Sequence, residues 1–557
     1  MWLVGGGVVW AVRTTLQVVH WVWDTWVTLV FTLIMGWRRK SHLPPVFNPI
    51  LLLSASELAD KIRERKVSSV EVVRSYVTRI SNVNPILNAI AQENFQSALL
   101  QARMVDERLD QGLHDGSLTK EWLKKNQPFL GVPFTVKETI AVAGLPHTGG
   151  LMARDYVIAF RDAEVVTRMK KAGAILLANT NISELGMWWE CDNRVYGRTN
   201  NPYDTRRTPG GSSGGECALM CACGTPLSLG TDTGGSIRTP AFFCGLFGHK
   251  PTTGLVSLRG CKIHFDSEYS EIQCAGPITR HAQDLAPILT ILVGDKVSKL
   301  RLGKHVNPGT LQFFTMENDG DAILTTRMSY ALVAVQRAVA QHFRHTYDCT
   351  VRKVIIPGMR RSYQLWKEKL HEEQKDWTPM FKQLADNKGE INVYTEITRA
   401  ILGRPLHTVP LLAQALLDKL VGEIKFLKDQ TKVLLGKETT AAPMPKVQLD
   451  TQWKILQMRV QRLLGDNGVL LYPSHPTLVP YHSESFFRPF NFTYTAIFNA
   501  LGFPVTQVPL GLSPDGLPIG IQVRNAWKVL KYKLYTYFLY LLGHLYKNFP
   551  FKIYCTW

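Results

Sequence analysis

The chain has 557 residues, enough for one large catalytic domain or for several average ones. Apolar residues make up 45% and charged residues 20%, a balance that can bury a sizeable core and excludes a disordered or collagen-like chain. Lysine and arginine outnumber aspartate and glutamate 64 to 45, a formal charge of +19, but no basic run carries interleaved aromatics, so nucleic acid is not an expected partner. Nine cysteines without paired Cys-x-x-Cys spacing speak against a disulfide framework or a structural zinc and for a reducing compartment.

Residues Val18 to Trp37 are apolar and Trp-rich, interrupted by threonines, His20 and Asp24, and are followed at once by Arg38-Arg39-Lys40. Such a segment is long enough to span a bilayer. Asp24 would cost about 3 kcal/mol at a helix centre, which keeps an interfacial or hairpin anchor as the alternative. A cleaved signal fits less well, because a basic n-region and a small-residue cleavage site are missing. Residues 1–40 are therefore expected to be a single membrane anchor, and the basic residues behind it place the following domain on the cytoplasmic side. The Pro-rich segment 41–53 reads as a linker.

Ser54-x-x-Glu57 and Ser68-x-x-Glu71 are capping-box patterns followed by helix-period apolar positions, so two amphipathic helices open the main domain. Phe129 to Val136 suits a buried strand that ends on Lys137. Asp162 to Ala172 reads as a helix closed by Gly173, and Ala174 to Ala178 as a second buried strand, half of an α/β crossover unit. The expected fold is α/β, a mixed twisted sheet covered by helices, over residues 54–523. Residues 300–460 are helix-rich, and the apolar stretch Leu402 to Leu420 reads either as an ordinary core helix pair or as a cap resting on a membrane surface. The sequons Asn181-Ile-Ser183 and Asn491-Phe-Thr493 are read as unmodified asparagines.

Two runs of small residues bracket the short apolar segment Thr225 to Leu229: Gly210-Gly-Ser212-Ser213-Gly-Gly-Glu216 and Gly230-Thr-Asp232-Thr233-Gly234-Gly235-Ser236-Ile-Arg238. One such run is usually a turn, but two around a buried element look like two loops delivered to one place. A serine hydroxyl needs a base and oxyanion donors to act as a nucleophile, and Thr233-Gly234-Gly235-Ser236 offers consecutive backbone N–H groups. Gly210 to Gly214 also matches the Gly-x-Ser-x-Gly nucleophile elbow. An elbow needs a strand directly before it, and Asn200 to Pro209 is loop sequence, so that reading is set aside.

The sequence resembles the amidase signature family in Gly-Val-Pro-Phe-Thr-Val-Lys137-Glu, in both small-residue runs, in Gly248-His-Lys-Pro-Thr-Thr-Gly254, and in the spacings among Lys137, Ser212 and Ser236. The resemblance extends from about residue 50 to Val523. It implies a Ser-Ser-Lys triad in which Ser236 attacks the amide carbonyl, Ser212 relays the proton and neutral Lys137 is the base. It further implies a cis Gly211–Ser212 peptide, loops braced by Ser213, Asp232 and Arg238, and Gly186 where the backbone approaches substrate. No cofactor or metal is implied. Trp188 and Trp189 stand equally as channel walls or as core.

In Asn201-Pro-Tyr-Asp204, Pro240-Ala-Phe-Phe-Cys-Gly-Leu-Phe-Gly-His-Lys-Pro251 and Leu471-Tyr-Pro-Ser-His-Pro-Thr477 the sequence most resembles, within that family, fatty-acid amide hydrolases of the second type, which implies a lipid amide substrate, a membrane as partner, and room for a homodimer. The tRNA-dependent amidotransferase amidase subunit is the alternative enzyme, and an impaired membrane-anchored interaction protein the alternative class. Past Arg524 the chain leaves the family pattern: a basic, apolar tail over 524–557 stands where a Gly-Pro turn and a closing helix are usual, and poorer order is expected there.

Overall fold

Short runs of branched and aromatic residues become the strands of one sheet. In the computed structural model, which describes residues 2–261, 268–300, 307–373, 378–434 and 450–525, these are β1 (Ile90–Glu93), β2 (Pro133–Lys137), β3 (Ile175–Thr180), β4 (Leu227–Asp232), β5 (Phe247–Lys250) and β6 (Cys274–Thr279). They are followed by β7 (Gln312–Thr315), β8 (Thr350–Lys353), β9 (Gly468–Tyr472), β10 (Val505–Leu512) and β11 (Pro518–Asn525). The 11-stranded sheet runs β1-β3-β2-β4-β6-β5-β10-β11-β9-β7-β8. Its β3-β2-β4 stretch is parallel and its middle antiparallel, the mixed architecture expected from the sequence. Strands β2 to β4 are buried on both faces, as their near-continuous apolar runs require.

The opening helices form where the caps predict them. Ser54 and Glu57 make a reciprocal capping box at the head of Ala55–Arg63, and Ser68 caps Ser69–Leu87 by accepting from Glu71 N. The crossover helix is Glu164–Lys171, and Gly173 behind it has φ +88°. The Pro-rich segment between the N-terminal helix and the rest of the fold is itself packed: Leu43, Ile50 and Leu51 are buried, and Arg79 Nη1 donates to Pro44 O at 2.7 Å. Both sequon asparagines are buried and hydrogen-bonded, Asn181 to Gly197 O and Asn491 to Thr326, so neither is open to a glycan.

The N-terminal apolar segment is one helix, Trp2–Gly36, and it lies against the body of the fold. Asp24 is turned toward protein. Its Oδ1 meets Arg488 Nε at 3.0 Å and Thr326 Oγ1 at 3.1 Å, and Arg488 also bonds Thr28 Oγ1 and Glu484. Trp23 Nε1 donates to Phe487 O at 3.0 Å and Arg13 Nη2 to Asp321 O at 2.9 Å. Val27 and Met35 are buried on the same face, whereas Val18, Trp21, Trp26, Leu29 and Leu33 are exposed.

The stretch Leu402 to Leu420 also has two faces. Leu411, Leu412 and Ala415 of the helix Val409–Leu434 pack with Leu185 and Met187, while Leu402, Val409, Leu417 and Leu420 are exposed. The tail after Asn525, where poorer order was expected, lies outside the described residues.

Candidate active site

Lys137 is the last residue of β2, and its side chain emerges where β2 and β4 separate. Burial there is nearly complete, at 2% exposure. Its Nζ donates to Ser212 Oγ at 2.6 Å and to Thr231 Oγ1 at 2.9 Å, so a buried cation is met by hydroxyls and by no carboxylate in direct contact. Burial lowers the lysine to about 8, and the charges of Asp232, Cys191, Glu216 and Glu138 pull it only part of the way back. Such a lysine is partly neutral near physiological pH and able to accept a proton.

Ser212 follows a cis Gly211–Ser212 peptide, directly before the helix Gly214–Cys221. No strand precedes it, which agrees with setting aside the nucleophile elbow. Ser236 lies in the turn between β4 and the helix Arg238–Phe243. Ser213 N donates to Ser236 O at 3.2 Å and so ties the two small-residue loops together. Lys137, Ser212 and Ser236 line one cavity of about 420 Å³. Gly186 lies on its wall with φ +67°, and a Cβ there would stand 3.6 Å from Ser212 Oγ, in space a substrate must use.

Below the Ser236 turn is a buried ion pair. Arg238 Nη2 meets Asp232 Oδ1 at 3.0 Å and Nε meets Oδ2 at 3.1 Å, both side chains being fully buried. The remaining Arg238 donors reach Thr495 O, Gln522 Oε1 and Asn499 Oδ1. Burial pushes the Asp232 carboxyl up, but Arg238, Lys250 and the Asn499 amide together hold it well below its ordinary value. Asp232 in turn receives Gly235 N at 2.8 Å and Ile237 N at 3.2 Å.

The turn's carbonyls are also taken. Thr233 O accepts from Trp366 Nε1 at 2.8 Å, Gly234 O from Thr495 Oγ1 at 2.8 Å and Gly235 O from Thr239 N at 2.7 Å. Among the described residues, the N–H groups of Thr233, Gly234 and Ser236 have no protein acceptor. Of the three residues named from sequence as donors beside the nucleophile, Gly235 differs, because its N–H is spent on Asp232. Its φ of +123° and a Cβ position only 2.0 Å from Thr495 Oγ1 make it the residue that lets the turn close.

Away from these polar groups the cavity wall is aromatic and aliphatic. Trp188 stacks on Trp189 at 4.5 Å and Trp189 on Phe492 at 4.0 Å, and Trp366 meets Phe492 edge-on at 4.9 Å. Trp188, Trp189, Trp366 and Phe492 all line the space, so the two tryptophans form part of the cavity wall. Sequence reasoning did not single out Trp366, Thr495, Asn499, Thr231 or Glu216. Thr495 and Asn499 lie 261 and 267 positions from the atoms they hold, and Trp366 133, so no local pattern carries the contact. Glu216, in the first small-residue run, accepts from Thr135 Oγ1 at 2.6 Å and is pushed up to about 7 by burial.

Comparison with known proteins agrees with this geometry. Residues 71–347 match the family model described as Amidase. Fatty-acid amide hydrolase 2-B of Danio rerio is 43% identical over 490 residues, covering 88% of this chain and 89% of that protein. Fatty-acid amide hydrolase 2 of Homo sapiens is 40% identical over 494 residues, covering 88% of each. A solved structure of a fatty acid amide hydrolase superposes with a TM-score of 0.68 at 19% identity, over 89% of this chain and 86% of that one, a likeness of fold. With its lysine and two serines gathered in one buried cavity and relatives this similar over most of its length, the chain belongs to the amidase signature family and is a hydrolase similar to fatty-acid amide hydrolase 2.

Proposed function

We propose that the chain hydrolyses fatty acid amides to free fatty acid plus ammonia or an amine, with Ser236 as nucleophile, Ser212 as proton relay and Lys137 as base. The observation that carries this reading is the 2.6 Å contact between Lys137 Nζ and Ser212 Oγ, made by a lysine lowered to about 8 by burial in the cavity it shares with Ser236. Ser236 Oγ attacks the carbonyl carbon, and its proton passes to Ser212 while the Ser212 proton passes to Lys137. The negative charge that develops on the carbonyl oxygen is met by backbone N–H groups of the 233–236 turn. The proton then returns through Ser212 to the leaving nitrogen, the C–N bond breaks, and water hydrolyses the Ser236 ester. Asp232, Arg238 and Ser213 hold the loops in place and take no part in bond making.

The tryptophan and phenylalanine walls suit an acyl chain, and the relatives named above carry that activity in their names. A membrane as the source of substrate is supported by two exposed apolar faces, one on the N-terminal helix and one around Leu402 to Leu420. Because Asp24 is paired with Arg488 of the domain, the helix fits an interfacial anchor better than the spanning one: its polar side meets protein and its tryptophan-rich side is free to enter the headgroup region. Arg38-Arg39-Lys40 favour the cytoplasmic leaflet.

The test is hydrolysis of oleamide by the detergent-solubilised full chain, compared with short-chain amides and with Ser236→Ala. Preferred turnover of the long-chain amide, abolished by the substitution, supports the proposal. Turnover of glutamine only, or only with added partner proteins, contradicts it.

A further inference from the structure

The Thr233–Ile237 turn has four consecutive peptide units, and the carbonyl of each is held by a different partner. A trans peptide points its C=O and its N–H in opposite directions, so fixing one fixes the other. The only cis peptide among the described residues is Gly211–Ser212, so the rule applies to every unit of the Thr233–Ile237 turn. Gly234 O accepts from Thr495 Oγ1, and the N–H of that unit, on Gly235, points the other way into Asp232. Ser236 O accepts from Ser213 N, and the N–H of that unit, on Ile237, likewise reaches Asp232. The other two units, Thr233–Gly234 and Gly235–Ser236, leave their N–H groups, on Gly234 and Ser236, without an acceptor among the described residues. The Gly235–Ser236 unit is held through its carbonyl by Thr239 N, part of the helix that follows. The Thr233–Gly234 unit is held through its carbonyl by a single side chain, Trp366 Nε1 at 2.8 Å.

From this we infer that Trp366 is a positioning residue for catalysis: its indole N–H fixes the Thr233–Gly234 peptide so that Gly234 N–H is aimed at the substrate oxygen. The inference rests on the amidase reading above and deepens it. Trp366 stands on the helix Ser362–Glu373, in the part of the chain without a motif. Its ring is braced edge-on by Phe492, so the donor is supplied from a rigid element. A glycine in the turn has no side chain to limit its backbone, and without the indole donor the Thr233–Gly234 unit is free to rotate. Donor alignment would then have to be recovered during the reaction, where it slows the chemical step without weakening ground-state binding.

Trp366→Phe tests this, because it keeps an aromatic ring against Phe492 and removes only the N–H. The expected result is a fall in kcat of about tenfold or more, set below the loss for deleting an oxyanion donor outright. KM for a short-chain amide should stay within about twofold and the pH–rate midpoint should not move, since Lys137 is untouched. Labelling by a fluorophosphonate, whose phosphoryl oxygen occupies the same place, should slow in parallel. Trp366→His, which returns a ring N–H, should recover part of the loss. The inference is overturned if Trp366→Phe keeps its kcat and its labelling rate, or if it changes only KM in a way that grows with acyl-chain length, the signature of a plain wall residue. Ser236→Ala reports separately on the amidase reading: labelling that survives it removes both.

Discussion

Two arginines among the described residues, Arg238 and Arg524, are buried completely and have opposite surroundings. Arg238, at the head of the helix Arg238–Phe243, meets Asp232, Asn499, Gln522 and the Thr495 carbonyl, so that its charge is neutralised and its donors are used. Arg524, near the end of β11, lies 3.3 Å over the Phe503 ring, and its three nitrogens have no hydrogen-bond partner among the described residues. Burial holds its guanidinium well below its ordinary value. Lys137 stands between these extremes, buried but met by two hydroxyls. What a buried cation can do here follows from its partners: a full set of acceptors makes a scaffold, hydroxyls alone leave the proposed base, and an aromatic face alone leaves a liability.

Removing the best-paired cation should cost most. Arg238→Leu strands the Asp232 carboxylate with the Asn499 and Gln522 amides, and a loss of about 3–5 kcal/mol is expected, read as a lowered urea midpoint or as failure to accumulate folded protein. The opposite sign is expected at the other site. Arg524→Leu keeps contact with Phe503 and removes a charge that has no hydrogen-bond partner among the described residues, so unfolding should require about 2 kcal/mol more, seen as a raised Tm, whereas a drop in Tm would show that the guanidinium is compensated.

The intermediate case shows in pH dependence. Only neutral Lys137 accepts a proton, and its neutral fraction falls about tenfold per pH unit below about 8, equivalent to about 1.4 kcal/mol of barrier. Activity should therefore climb with pH and level off above about 8, and a profile that falls across that interval would contradict the assignment. The smallest effect is expected at Asp24→Asn, because Arg488 keeps Glu484 and Thr28 as partners. Docking of the N-terminal helix should weaken by about 1 kcal/mol, measured as faster proteolysis near residues 37–42.

The same contrast explains what the sequence discloses. Lys137, Ser212 and Ser236 are legible because each sits in a run whose glycines and strand pattern already demand a special backbone, and the capping serines at Ser54 and Ser68 are legible because their partners are three residues away. The contacts that fix the site are not local. Trp366 reaches Thr233, Asn499 reaches Asp232, and Gln522, 284 positions from Arg238, completes its shell. Asp24 misleads for the same reason. Read in its helix it is a charge placed in lipid, but Arg488, 464 positions later, makes it part of a protein interface. Arg524 lies near the end of a strand of ordinary pattern, and only the fold reveals that its charge is buried without a hydrogen-bond partner among the described residues.

The central claim is that Ser236 is the residue that becomes acylated. Reacting the solubilised full chain with a fluorophosphonate and locating the adduct by mass spectrometry tests it directly. A single adduct on Ser236, lost in Ser236→Ala and slowed in Lys137→Ala, is the predicted result. An adduct on another residue, or equal labelling of Ser236→Ala, would contradict the account.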